Sequence, residues 1–144
     1  MVFKPFQTEH SAEIPLRTAL NLRLSRPLED LGAPLFNGNA PRDYPFPYVI
    51  LGESTESDYY TKTSSGANIV LTTHIYTEED GYDQLDAIKE QLMRALSGPP
   101  LPIDANWYLV YTEMDGSRKY KYDMTKAHCV VYFRFVLNYN ETVN

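Results

Sequence analysis

Residues 66–96 read GANIVLTTHIYTEEDGYDQLDAIKEQLMRAL, and this stretch decides the fold of the chain. Its first half is rich in β-branched residues that alternate with the period of a strand. Its second half carries apolar residues at helical spacing, with charged residues between them. The sequence therefore predicts a central strand that leads into a helix folded back onto the same sheet. One face of the strand consists of Ile69, Leu71, Thr73 and Ile75. The apolar face of the helix consists of Leu85, Ile88, Leu92, Ala95 and Leu96.

The ends of this helix are also marked in the sequence. Asp80 is placed to cap its start, because a carboxylate can accept hydrogen bonds from the exposed N–H groups of the first turn. Residues 97–100, Ser-Gly-Pro-Pro, end it, since glycine allows a left-handed cap and proline cannot continue the hydrogen-bond ladder.

The N-terminal part of the chain predicts an arm and a second helix. Residues 1–10 are expected to form a short arm in which Phe3 and Phe6 are available for docking. A helix is expected from about Ser11 to Ser25, with one apolar seam, and Pro27 should end it, with at most one more turn over residues 28–31. The seam consists of Leu16, Leu20 and Leu24.

Further strands are expected on both sides of the central unit. Before it lie a short strand at residues 35–37 and a longer strand at 48–54. Residues 53–66 predict a long hairpin whose tip extends beyond the sheet. A disordered loop is the alternative interpretation of residues 53–66. After it, a strand at residues 107–113 should end in a turn at 114–117, because Asp-Gly is a hairpin signal. The last strand is expected from about Ala127 to Leu137.

The order of these elements predicts the fold class. It is an α+β domain with a mostly antiparallel sheet of four to five strands and two helices packed on one face. The expected organisation is an N-terminal arm at residues 1–10, a single domain at 11–138 and a C-terminal tail at 139–144. A chain of 144 residues suits one core.

Composition excludes several classes of protein. The net charge of −6 argues against nucleic-acid binding through a broad basic surface. Cys129 is the only cysteine, which excludes an intrachain disulfide and a cysteine-based metal site. We find no apolar stretch of signal-peptide or membrane-spanning length, so no membrane partner is expected.

The sequence carries no recognisable catalytic motif, and we assign no catalytic, cofactor-binding or metal-binding residue. His74 and His128 both fall on predicted strands and can approach each other if those strands pair. A metal or base role is one interpretation of this pair, and an aromatic sheet surface is the other. Cys129 is expected to be a small buried hydrophobic residue.

Tyrosine is abundant, with 12 residues, and many lie near predicted turns or on strand faces. Tyrosine is enriched at interfaces, and the mixed second side of the central strand, with Val70 and Tyr76, also indicates partial cover. The alternative is a tyrosine-rich monomeric core. The candidate interface residues are Tyr59, Tyr60, Lys62, Arg118, Tyr120 and Tyr122.

The order and spacing of these segments resemble the tail-completion family of long-tailed bacteriophages, also called tail terminators or tail-to-head joining proteins. The most specific segment is Tyr-Pro-Phe-Pro-Tyr-Val-Ile-Leu-Gly at residues 44–52, followed by Glu-Ser-Thr-Glu-Ser-Asp at 53–58 and Thr-Lys-Thr at 61–63. The similarity covers about Ser11 to Leu137. The Phe-rich arm and the Tyr-rich segment from Arg118 to Tyr122 depart from the family pattern.

The resemblance implies a non-enzymatic virion protein without a cofactor. It implies a ring, usually a homohexamer, that caps the tail tube at the tail-to-head junction. The implied partners are further copies of the chain, the tail tube protein and the head–tail connector or head-closure protein, with assembly in the cytoplasm of the bacterial host. The alternatives are a head-closure or minor tail subunit, or a small α+β enzyme or ligand-binding domain.

A ring on a DNA-conducting tail also suggests a role for acidic residues. DNA only passes through such a ring, and an acidic lining avoids holding its phosphates. Solvated surface is the alternative interpretation. The expected channel-facing group is Glu53, Glu56 and Asp58, and the competing acidic patch is Glu78, Glu79, Asp80, Asp83 and Asp86.

Overall fold

The computed structural model describes residues 10–60 and 65–140, and these form two helices and one five-stranded sheet. The sheet order is β1-β2-β3-β5-β4; β1 runs parallel to β2, and all other neighbours are antiparallel. This confirms the predicted α+β class. The elements are α1 (Glu13–Asp30), β1 (Leu35–Asn37), β2 (Tyr48–Tyr60), β3 (Ser65–Glu78), α2 (Asp83–Ser97), β4 (Trp107–Asp123) and β5 (Lys126–Tyr139).

The centre of the sheet is β3, and it is the strand predicted from residues 66–76. It pairs along its length with both β2 and β5. Its odd-numbered apolar side chains, Ala67, Ile69, Leu71 and Ile75, are buried in one cluster with residues of both helices and with the odd-numbered residues of β5. This shared cluster supports the prediction that the two helices pack on one face of the sheet. Among the described residues, no helix is long and apolar enough to cross a membrane.

The first helix, α1, is longer than predicted. Leu16, Leu20 and Leu24 are buried as expected, but the helix continues through Pro27 to Asp30. Proline removes one backbone hydrogen bond. One turn beyond Leu24, Leu28 is fully buried and extends the same seam, and this packing explains why the helix does not end at the proline.

The predicted hairpin forms between β2 and β3. Their ladder reaches the pair Tyr60–Ser65, so the disordered-loop interpretation is wrong for these strands. The described part of the hairpin does not extend beyond the sheet, because β5 accompanies β3 as far as Gly66. Residues 61–64, which include Lys62, lie outside the described part of the chain.

The strand β4 corrects the predicted turn at residues 114–117. The chain passes through Asp115 and Gly116 without turning, and β4 ends only at Asp123, where a tight turn leads to Lys126. The Asp-Gly pair forms a bulge instead, with a positive φ of 151° at Gly116. Glycine suits both a hairpin turn and a bulge, and pairing with the long strand β5 selects the bulge.

The helix α2 starts and ends where predicted, but its caps differ. The carboxylate of Glu79, not that of Asp80, accepts hydrogen bonds from the backbone N–H groups of Gln84 and Leu85, at 2.9 and 3.0 Å. At the other end, Gly98 has φ −77° and is not left-handed. The longer Glu79 side chain reaches the first turn from the end of β3.

Candidate interaction surface

The sheet has a second side, opposite the helix-facing core, and we call it the aromatic face. Its residues come from the even-numbered positions of β3, β5 and the start of β2, and from the outward positions of β4. Their exposure is mixed: most are partly buried, Thr72, His128 and Val136 are buried, and Tyr122 and Tyr132 are exposed. This is the mixed pattern that Val70 and Tyr76 indicated in the sequence. The aromatic face is centred on Tyr48, His74, Tyr76, Tyr120, Tyr122 and His128.

Four polar side chains of this face form a continuous chain across four strands. Glu53 Oε1 lies 2.7 Å from His74 Nε2, and His74 Nδ1 lies 2.9 Å from His128 Nε2. The Tyr120 hydroxyl lies 2.7 Å from His128 Nδ1. One set of protons satisfies every contact: Tyr120 donates to His128, His128 donates to His74, and His74 donates to Glu53. The sequence-based expectation that the two histidines can meet is confirmed.

The electrostatics of this chain favour a neutral His128. Burial, followed by the nearby charge of His74, lowers the pKa of His128 from 6.5 to about 4. The hydrogen bond from His74 lowers the pKa of the Glu53 carboxyl. The described residues contain no group of three or more side chains suited to hold a metal ion. With their ring nitrogens engaged in one another, the histidines fit the aromatic-surface interpretation better than the metal or base interpretation.

Aromatic rings extend this chain toward the start of β2. Tyr76 stacks on His128 with ring centroids 4.2 Å apart, and Tyr48 stacks on Tyr76 at 5.1 Å. Phe46 stacks in turn on Tyr48. Beside these rings, residues 39–46 border a cleft of 640 Å³ that also includes Lys126. The result is an aromatic surface bordered by Arg42, Asp43 and Lys126.

The structure does not bring the candidate interface residues into one patch. Tyr59 lies at the outer end of β2 and is 37 % exposed, whereas Arg118, Tyr120 and Tyr122 lie on β4. The strands β3 and β5 separate these two groups. Tyr60 ends β2, and Lys62 lies outside the described residues. The candidates thus occupy two opposite edges of one sheet.

The candidate channel-facing carboxylates have different surroundings. Glu53 contacts His74 on the aromatic face. Glu56 accepts hydrogen bonds from the Ser11 hydroxyl at 2.7 Å and the Ala12 N–H at 2.8 Å, so it holds the start of α1. Asp58 is exposed and forms no ion pair with any residue that the structure describes.

One apolar surface was missed in the sequence. Four large side chains in the first half of β4 are between 40 and 52 % exposed. The signal was the absence of polar alternation between residues 107 and 111, which we interpreted only as a strand. An exposed apolar edge strand is a site where another chain can pair. These side chains are Tyr108, Val110, Tyr111 and Met114.

Comparison with known proteins identifies one family. The family model described as "Tail completion protein gp17" matches residues 28–138. The chain is 27 % identical over 107 residues to the tail completion protein gp17 of Bacillus phage SPP1, covering 69 % of this chain and 73 % of that protein.

Solved structures share the fold. A chain from the virion of a native gene transfer agent particle matches with a TM-score of 0.76 at 19 % identity, covering 90 % of this chain and 99 % of that chain. The structure of bacteriophage SPP1 gp17 matches with a TM-score of 0.58 at 19 % identity, covering 98 % and 99 % of the two chains.

Proposed function

The chain belongs to the tail completion protein gp17 family, and from this premise we propose that it forms a ring that caps the tail tube and joins the tail to the head. The coarser statement, a structural protein of a phage-type virion with a tail-joining role, follows from the family. The ring and its position are the proposal. It acts by binding, without catalysis or a cofactor.

The observation that carries the proposal is the extent of the family match. Residues 28–138 include α2 and all of the sheet except the last residue of β5, so the match covers the scaffold rather than one local motif. The exposed aromatic and apolar side chains of β4 are consistent with it, because a subunit in an assembly needs surfaces for neighbours.

The proposed partners are other copies of this chain, six in a closed ring, together with the tail tube protein on one side and the head–tail connector or head-closure protein on the other. DNA passes through the ring without specific binding. The acidic lining expected at Glu53, Glu56 and Asp58 stays a prediction. The proposed location is the tail-to-head junction of the virion, assembled in the cytoplasm of the host.

The test is to produce the virion in cells that lack this chain and to examine the products by electron microscopy. We expect tail tubes without a defined upper end and heads without tails, since nothing then ends the tube or offers the head a surface. Supplying the chain from a plasmid should restore joined particles. Joined, infectious particles made in its absence would overturn the proposal.

A further inference from the structure

Within residues 10–60 and 65–140, the sheet has two edges that are wholly or partly without a neighbouring strand, and they lie on opposite sides of the sheet. On one side, β1 covers β2 only from Val49 to Leu51, so the rest of β2 has no strand beyond it among the described residues. On the other side, β4 is the outermost strand of the sheet. Open edges carry unpaired N–H and C=O groups and readily accept another strand.

The two edges carry opposite charges on the same side of the sheet. Glu56 and Asp58 on β2 pair with inward positions of β3, Ile69 and Ala67, so both carboxylates lie on the helix-facing side. On β4, Lys119 contacts Asp86 of α2 and Lys121 donates to the Glu79 carbonyl, which places both ammonium groups on that side too.

The spacing of these charges also agrees. The two carboxylates are two residues apart on β2, and the two lysines are two residues apart on β4. When Asp58 is placed opposite Lys119 in an antiparallel ladder, Glu56 falls opposite Lys121. The same register places Tyr59 opposite Arg118, both on the aromatic side, where the Arg118 guanidinium already lies over the Tyr120 ring, 5.2 Å from its centroid.

We propose that a second copy of this chain pairs the β4 edge, around residues 117–121, with the β2 edge, around residues 56–60, in this antiparallel register. The direction follows from the sheet: β2 and β4 run oppositely, since three antiparallel steps separate them. Because the two edges differ, the contact is head-to-tail and repeats from copy to copy until the ring closes. The inference rests on the proposed ring.

Glu56, Lys119 and Lys121 have partners within the subunit, and those of Glu56 and Lys119 leave room for the contact. Lys119 bridges to Asp86 with its side chain still 41 % exposed. Glu56 is exposed and accepts two hydrogen bonds, whereas a carboxylate offers about four acceptor positions. Neither Asp58 nor Arg118 has an ion pair with any residue in the described ranges. For Glu56 and Asp58 this contact is an alternative to the predicted channel-facing role, and the charge-reversal experiment below distinguishes the two for Asp58.

The experiment uses disulfide formation in assembled particles. Opposed residues of an antiparallel pair have Cα atoms about 4.5–5.5 Å apart, within disulfide range. Virions are produced with the double variant Y59C/R118C, and the chain is followed under mild oxidation. Both positions are exposed, and the native Cys129 is fully buried. We expect a ladder of covalent oligomers up to the full ring. The matched control Y59C/K121C places the second cysteine on the other side of the sheet and should give no ladder.

Particles that contain two different single-cysteine variants distinguish a β4–β2 contact from a symmetric β4–β4 contact. Particles containing Y59C chains together with R118C chains should yield covalent dimers, and particles with either variant alone should yield none. A dimer from R118C alone indicates a symmetric β4–β4 contact and overturns the proposal. Absence of any cross-link in normally joined particles also overturns it, while the ring function stands. Failure of the wild-type chain to enter joined particles contradicts the proposed function instead.

Charge reversal tests the role of Asp58. With D58K, the repulsion between the introduced ammonium group and Lys119 of the next copy should lower the cross-linking yield of Y59C/R118C by roughly threefold to tenfold at low salt. The neutral variant D58N should have a smaller effect. An unchanged yield combined with poor DNA delivery places Asp58 in a channel lining and overturns its assignment to the subunit contact.

Discussion

The Nδ1 atom of His74 lies 2.9 Å from the Nε2 atom of His128. The two residues are diagonal neighbours on adjacent strands, because His128 pairs with Tyr76 and His74 pairs with Val130. The contact requires a shared proton between the rings, and two cationic imidazoles would present N–H groups to each other. The contact between the two rings therefore requires that at least one of them is neutral.

This relationship predicts a pH-dependent stability. Because the pKa of His128 falls from 6.5 to about 4 on folding, the unfolded chain binds more protons between these values, and the free energy of unfolding should fall as the pH is lowered from 6.5. We expect a loss on the order of 1–2 kcal/mol by pH 4.5, after allowing for solvent screening. Chemical denaturation at each pH measures it.

The control for this prediction is His128→Asn, which cannot titrate. We expect this variant to be less stable than the wild type at pH 7. Its free energy of unfolding should change less than that of the wild type between pH 6.5 and 5, an interval that lies above the pH range in which Glu53 titrates. An identical pH slope in the variant and the wild type would show that another group is responsible.

The capping carboxylate of α2 gives a second prediction. Glu79→Ala should lower the free energy of unfolding by about 1 kcal/mol, because it leaves two N–H groups of the first turn without their acceptor. Asp80→Ala is the matched control, since Asp80 is exposed and was the expected cap. Thermal denaturation compares the two, and an equal loss in both variants would assign the effect to the general charge of this turn.

The helix-facing core gives a third prediction. Leu92 is fully buried between α2 and the sheet, so Leu92→Ala should lower the free energy of unfolding by about 2–5 kcal/mol. The neighbouring Met93 is 36 % exposed, and Met93→Ala should cost less than about 1 kcal/mol. Urea denaturation measures both. A loss at Leu92 as small as that at Met93 contradicts the assigned packing of the helix.

The start of α1 gives a fourth prediction. Glu56→Ala should destabilise the isolated chain by about 1 kcal/mol, because Glu56 binds the Ser11 hydroxyl and the Ala12 N–H. Asp58→Ala should leave stability within about 0.5 kcal/mol of the wild type, since Asp58 is an exposed residue. Chemical denaturation of the purified variants compares the two. Comparable losses in both would mean that Asp58 also supports the folded subunit.

The helices and strands whose apolar residues recur at one regular spacing were predictable from the sequence. Residues 66–96 form β3 and α2 as expected, because burial enforces both alternation and helical spacing. The end of α1 and the course of β4 were not predictable from local signals. Pro27 and the Asp115–Gly116 pair each permit two outcomes, and the packing of Leu28 and the pairing with β5 decide between them.

The interaction surface was only partly predictable, for a related reason. The sequence identified the tyrosines and the two histidines, because residue type alone suggests their chemistry. It did not show that Glu53 binds His74 or that Glu56 holds α1, since these contacts join residues 21 and 44 or more positions apart. Whether a carboxylate is free for a partner depends on such distant contacts.

The bulges of β4 bear on a different property, the number of subunits in an assembly. The strand β4 uses 17 residues to run beside the 14 residues of β5, and three bulges take up the difference. A longer outer strand beside a shorter one bends the sheet. In the proposed ring of copies joined edge to edge, this bend would contribute to the angle between successive copies, which is about 60° for six copies. If the proposed ring forms, the number of its subunits depends on the relative lengths of these two neighbouring strands, and deleting Val110, at the bulge farthest from the proposed contact, should change that number.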